Sequence, residues 1–87
     1  MAEAALRIDK LLFFLRIAKS RNLALHWAEA GHIRVNGRRI KKGSTVVHVG
    51  DIITLPKDET VLAIKLLAIP TRRGPPAEAK LCFGLLE

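Results

Sequence analysis

The dipeptide Asn36-Gly37 sits in the middle of His32-Ile33-Arg34-Val35-Asn36-Gly37-Arg38-Arg39-Ile40-Lys41. Asn-Gly between alternating residues is the strongest short signal for a β-hairpin, because the favoured two-residue turn needs positive φ at both central positions. A two-residue loop also fixes the register. Val35 lies opposite Arg38, Arg34 opposite Arg39, and Ile33 opposite Ile40. Ile33, Val35 and Ile40 then face a core, while Arg34, Arg39 and Lys41 share the other face. Two guanidinium groups directly opposed across strands repel each other. An anion seated between them removes that penalty, so the hairpin is a candidate binding element. Asn36 itself is demanded by the turn alone, and a role in contact or only in the turn stays open for it.

The rest of the chain must supply the core. Ile8, Leu11, Leu12 and Leu15 repeat at helical spacing and predict a helix from Ile8 to Ala18, with Asp9 suitably placed in its first turn. Phe13 and Ile17 lie four apart on its opposite face. Ser20 is a good N-cap for a second helix, Arg21 to Ala30, whose face carries Leu23, Trp27 and Ala30 and which Gly31 terminates. The corner Lys19-Ser20-Arg21-Asn22 is basic, and the free amides at the start of the second helix favour phosphate. Downstream, Thr45–Val49 and Ile52–Leu55 read as short strands around a Gly50-Asp51 turn. Pro56-Lys57-Asp58-Glu59 reads as a loop, and Val61–Ile69 as a central strand. Thr71–Pro76 is a stiff connector, and Ala77–Lys80 suits a helical turn after Pro76. Leu81–Leu86 fits strand or helix equally.

Charge narrows the function. The chain has 87 residues, a net charge of +7 and 49% hydrophobic residues, which is too apolar for a disordered basic tail. All of the excess lies in residues 1–42, where ten cations face Glu3, Asp9 and Glu29. Residues 43–87 are balanced. A one-sided basic field holds polyanions, so nucleic acid is the expected partner. The single cysteine, Cys82, excludes a disulfide framework and any cysteine-based zinc finger. His26, His32 and His48 lack ligand spacing, and no phosphate loop or acid pair is present, so neither an enzyme nor a cofactor is expected. The longest apolar run, Leu11–Leu15, is far short of a membrane span, and the N-terminus has no signal-peptide pattern. A cytoplasmic location is therefore expected, without a membrane partner.

Four segments carry a resemblance: Arg7-Ile8-Asp9-Lys10-Leu11-Leu12, Lys19-Ser20-Arg21-Asn22-Leu23-Ala24, Gly31-His32-Ile33-Arg34-Val35-Asn36-Gly37, and Gly50-Asp51. In this order and spacing the chain resembles an S4-type RNA-binding domain. The segment Arg72-Arg73-Gly74-Pro75-Pro76-Ala77-Glu78-Ala79 is similar to the one that follows the domain in the bacterial heat-shock-protein-15 family. The resemblance implies an α+β, S4-like fold: two N-terminal helices packed on a small antiparallel, twisted β-sheet with the basic Asn-Gly hairpin. It implies an S4-type domain over residues 1–69, with a C-terminal extension over 70–87 packed on it or trailing it. It implies a partner in ribosomal RNA, with tRNA a further candidate, and in the large ribosomal subunit carrying stalled peptidyl-tRNA. Longer members carry a basic C-terminal extension, and Cys82-Phe83-Gly84 breaks the more helical ending the family leads one to expect.

Carried over residue by residue, the RNA surface comprises Arg7, Asp9 and Lys10 at the first helix, and Lys19, Ser20, Arg21 and Asn22 at the corner. Arg34, Asn36, Gly37 and Arg38 follow at the hairpin, and the charge pattern adds Arg39 and Lys41. Asp9 is expected to position an arginine rather than touch RNA. With no Tyr and few aromatics, reading by shape and phosphates is expected rather than base stacking. Reversing Arg21 and Arg38 to Glu is expected to abolish binding with stability near wild type. The chain is expected to act as a monomer. Two rivals are a DNA-binding module, disfavoured by Trp27, Ala28, Glu29 and Ala30 where a recognition helix wants Arg, Asn or Gln, and a protein-interaction module using Phe13 and Ile17.

Overall fold

The computed structural model describes residues 5–86. The elements in chain order are β1 (Ala5–Arg7), α1 (Ile8–Phe14), α2 (Arg21–Glu29), β2 (Arg34–Val35), β3 (Arg38–Arg39), β4 (Val46–His48), β5 (Ile52–Lys57), β6 (Thr60–Leu66), α3 (Pro76–Ala79) and β7 (Phe83–Leu85). A 3-10 turn, Lys80–Cys82, joins α3 to β7. The fold is α+β, as expected. Two helices pack on a five-stranded antiparallel sheet of order β3-β2-β5-β6-β7, and β1 pairs with β4 in a separate ribbon.

The core follows the helical repeat. Ile8, Leu11 and Leu12 are fully buried, and Leu15 nearly so. Full burial of a side chain of this size contributes about 1.5–3 kcal/mol. From the sheet, Ile53, Leu55, Ile64 and Leu66 meet them, with Ile33 at the hairpin's base. The inner line of α2 is Ala24 and Ala28 rather than the expected Leu23, Trp27 and Ala30. The small side chains let α2 approach α1 closely; Trp27 packs at the edge of the core and Ala30 is exposed.

Three boundaries differ from expectation. The first helix ends at Phe14, not Ala18, because Arg16 takes a left-handed conformation, φ 62°, and turns the chain. The amides of Ile17 and Ala18 both donate to Leu12 O, so Ile17 leaves the helix and is buried. Phe13 lies under the Arg73 guanidinium, 4.7 Å from the ring centre, and Arg73 Nε donates to Phe13 O at 3.0 Å. The Phe13/Ile17 patch therefore does not form. β5 runs through Pro56 to Lys57, and only the Asp58-Glu59 turn interrupts it. Pro56 is tolerated because β2 pairs only with Ile53 and Thr54 and does not reach it. β6 begins at Thr60 and stops at Leu66, short of Ile69. The open ending resolves into the 3-10 turn and β7, which pairs with β6.

Candidate nucleic-acid interface

The start of α1 is closed off by the protein itself. Ile8 N donates to Thr45 O at 2.7 Å, Asp9 N to Gly43 O at 3.1 Å, and Lys10 N to the Asp9 carboxylate at 2.7 Å. These were the amides an anion would have used. Asp9 instead holds two cations. Arg7 donates to it twice, at 2.7 and 2.9 Å, and Arg21 Nη2 stands 3.5 Å away. Burial of Asp9 opposes its charge, but the Arg7 hydrogen bonds, the Lys10 amide and the charges of Arg7 and Arg21 together hold its carboxyl below the usual value. Asp9 is 3% exposed, whereas the Arg7 and Arg21 side chains are 43% and 45% exposed. The acid is buried and its arginines present their outer edges to solvent.

The second helix is open where the first is closed. Ser20 Oγ accepts from Leu23 N at 3.1 Å, so Ser20 serves as the cap. The amides of Arg21 and Asn22 have no acceptor among the described residues. Lys19 and Asn22 are exposed beside them. Lys10 lies 5.4 Å from the centre of the Phe14 ring.

The hairpin has the expected register. Arg34 is opposite Arg39, and Val35 opposite Arg38. Asn36 and Gly37 have φ of 53° and 83°. Arg34, Arg38 and Arg39 are exposed and have no carboxylate partner among the described residues. The stem of Arg39 lies against Gly31, while Gly31 takes φ 78° to end α2. Asn36 does more than turn the chain. Its Nδ2 donates to Asp51 at 3.0 Å, and its Oδ1 accepts from Ile52 N at 2.9 Å. Burial alone would raise the Asp51 carboxyl, but the Asn36 amide and the backbone and ring of His48 hold it low. The matching Gly50-Asp51 segment is thus the hairpin's buttress.

The loop after β3 joins the two clusters. Gly43 packs so tightly that a β-carbon there would collide with Leu25 and crowd Asp9. Lys41 and Lys42, both exposed, are thereby delivered beside the Asp9 node. Arg7, Asp9 and Arg21 are brought into direct contact, while Arg34 and Arg39 form a second basic pair on the hairpin; Arg38, opposite Val35, lies on the hairpin's other face. Two candidate residues were missed. Lys42 follows Lys41 in the same exposed loop. His32 lines a shallow cleft with Arg34 and Thr54, and its place two residues before Arg34 was the available signal.

The family profile described as the S4 domain matches residues 6–53, which contain both clusters. The chain belongs to the S4 domain family. The match spans β1 to the first residues of β5, so the domain's helices and hairpin are those described above. The chain is 34% identical over 87 residues to the heat shock protein 15 homolog of Haemophilus influenzae, covering all of this chain and 66% of that protein. It is 36% identical over 82 residues to the small ribosomal subunit protein uS4 of Anaeromyxobacter sp. (strain K), covering 91% of this chain but 39% of that one. It thus spans less than two thirds of the length of both relatives. A solved trimeric structure of Vibrio cholerae heat shock protein 15 superimposes with a TM-score of 0.89 at 32% identity, covering 94% of this chain and 82% of that one. The S4 fold is therefore shared along nearly the whole chain, including the part beyond the matched domain.

Proposed function

We propose that this S4-domain chain binds structured RNA through one basic surface made by the helix corner and the hairpin. The observation that carries the reading is the Arg34–Arg39 pair: directly opposed, exposed, and without a carboxylate among the described residues. An unpaired like-charge pair costs stability, and a phosphate between the strands offsets that cost. Arg7 and Arg21, pre-aimed by Asp9, and the open amides of Arg21 and Asn22 supply further phosphate contacts. Lys10, Lys19, Arg38, Lys41 and Lys42 extend the surface. Asp9, Ser20, Asn36 and Gly37 shape it without touching RNA.

The finer reading is that the RNA is ribosomal, and that the target is the large subunit carrying a stalled peptidyl-tRNA. The likeness to heat shock protein 15 supports this, while the likeness to a small-subunit protein keeps the other particle in the test. We place the domain at residues 1–69 and the extension at 70–87, the extension joining the same sheet through β7. We read the chain as acting singly in the cytoplasm; light scattering checks this, since the solved relative is described as trimeric.

The test is co-sedimentation with small subunits, large subunits and intact ribosomes, alongside Arg34→Glu/Arg39→Glu, which exchanges one like-charged cross-strand pair for another. This pair replaces the reversal at Arg21, because Glu at position 21 would face Asp9 and destabilise the fold. The double variant should melt like wild type yet lose RNA binding, with the log–log salt slope falling by about one for each phosphate contact removed. Binding that survives the double reversal refutes the proposed face. Equal, salt-labile binding to every particle refutes the subunit preference while leaving RNA binding intact. Duplex DNA competing as well as folded RNA refutes the choice of nucleic acid.

A further inference from the structure

Away from the basic surface, a groove of about 770 Å³ opens between the turn after α1, the end of β5 with the start of β6, and the C-terminal segment. Its floor is apolar: Leu15, Ile17, Leu62, Phe83 and Leu85. It is a continuation of the core that the helices do not cover. By register, Phe83 and Leu85 lie opposite Leu66 and Ile64, both fully buried, so they point to the core side of the sheet. Leu85 is nevertheless 68% exposed. With Leu62 and Phe83, it leaves part of the core face of the sheet uncovered.

The rim is cationic. Arg16, Lys57, Arg73 and Lys80 line the groove, and no Asp or Glu among the described residues does. Three of them each give one donor to a backbone carbonyl: Arg16 to Gly74, Lys57 to Ile17, and Arg73 to Phe13. None has a carboxylate partner among the described residues, and Lys80 has no polar partner there. Glu78, on α3 between the lining residues Pro76 and Lys80, is taken by Arg72 at 2.9 Å.

The groove also runs along an open sheet edge. β7 is the terminal strand of the order β3-β2-β5-β6-β7. Leu86 N donates to Ala63 O and Cys82 O accepts from Leu67 N, so the even-numbered residues bond inward to β6. The N–H and C=O groups of Phe83 and Leu85 therefore point outward. An apolar floor, a rim of positive charge and a free strand edge together specify an extended ligand whose groove-facing side chains, every second residue, are apolar at the centre and acidic toward the ends.

We propose that this groove and the β7 edge form a second docking site, which takes an acidic, apolar segment of a partner protein as an added strand. Main-chain bonds to Phe83 and Leu85 give affinity; on the groove-facing side of the added strand, central apolar side chains fill the groove and carboxylates toward its ends meet the rim. Charge complementarity chooses this occupant. A cationic rim is matched by carboxylates, and an RNA has nothing to bury on the apolar floor.

The probe is a fluorescein-labelled octapeptide, Glu-Thr-Ile-Thr-Ile-Thr-Glu-Thr, which puts Glu, Ile, Ile and Glu on one face of a strand; it is titrated into the full chain and followed by anisotropy and by amide chemical shifts. Saturable binding with shifts confined to residues 15–17, 57–62 and 73–86 is expected. Leu85→Pro removes one outward donor from an exposed strand position and leaves the inner ladder intact; it should abolish binding. Lys80→Glu should weaken it about tenfold or more. Unchanged melting of both variants separates these losses from unfolding. The proposal is overturned by no saturable binding, by shifts at the hairpin instead, or by equal binding of the same octapeptide with Lys in place of each Glu. It is equally overturned if an RNA stem-loop shifts the β7 amides, or if those amides shift with protein concentration alone, which would assign the groove to RNA or to a second copy.

Discussion

Asp9→Asn tests whether the basic surface is built or merely charged. The substitution keeps the size of the side chain but places an amide group where Asp9 Oδ2 meets Arg7 Nη2 at 2.9 Å and Arg21 Nη2 at 3.5 Å. One charge-assisted pair is lost outright, and the bonds from Arg7 Nε and Lys10 N become neutral-acceptor bonds. Hydrogen bonds to charged groups contribute about 1.5–3 kcal/mol against about 1 kcal/mol for neutral ones. The arginines are nearly half exposed, so water recovers part of the loss, and about 2 kcal/mol is expected overall. For a domain of this size that lowers Tm by roughly 8–16 °C. The pH dependence has a definite sign. The folded Asp9 carboxyl lies below its usual value, so its contribution is full above the unfolded value of about 3.9 and is lost as pH falls through the folded one. The gap between wild type and variant, measured by thermal melts monitored by circular dichroism, should be widest near neutrality and close in acid. RNA binding supplies the second readout. The variant gains one unit of positive charge, so a purely electrostatic surface would bind more tightly. If Asp9 pre-aims Arg7 and Arg21, affinity instead falls by about fivefold, the cost of re-ordering arginine side chains on binding. A Tm change under about 3 °C, a gap that persists into acid, or a rise in RNA affinity would each refute the reasoning.

Two further substitutions probe the frame behind that surface. Asn36→Gly keeps the positive φ of the turn but loses the links to Asp51 and Ile52, whereas Asn36→Ala also strains the backbone by about 1–2 kcal/mol. Both should lower the denaturant midpoint, Ala further than Gly, with RNA affinity little changed; a large affinity loss in the still-folded Gly variant would make Asn36 a contact. Gly43→Ala pushes a methyl group into Leu25 and toward Asp9, and should cost about 1–3 kcal/mol as overpacking. A wild-type melting curve for it would show that the loop after the hairpin is not clamped to α1.

Local signals carried much of the architecture. The spacing of Ile8, Leu11, Leu12 and Leu15 specified the buried face of α1, and Asn36-Gly37 specified a register that the pairing of Arg34 with Arg39 bears out. What was hidden depends on distant partners. β1 is three residues long, too short to show alternation, and exists because Ala5–Arg7 can pair with Val46–His48. Nothing in the identity of Arg16 announces a left-handed helix end; the turn is fixed where Arg16 bonds to Gly74 and Arg73 caps Phe13, residues that lie some sixty positions along the chain.

The same distinction bears on charge, the feature that first pointed to RNA. Counting placed all of the excess in residues 1–42, but a count treats every cation alike. The fold sorts them. Arg7 and Arg21 are turned to one purpose by a single buried acid, and Arg34, Arg38 and Arg39 are left without one. Arg73 and Lys57, which a charge tally sets against the acids of the second half, secure the end of α1 and the turn after it through carbonyls and have no partner charge among the described residues. The nominally neutral half of the chain therefore holds a cationic groove that no window of sequence reveals. A basic composition says that an anion is welcome. Which carboxylates are spent on which cations decides where it can sit, and here that accounting leaves two places: a polar one suited to phosphates, and an apolar one suited to an acidic peptide.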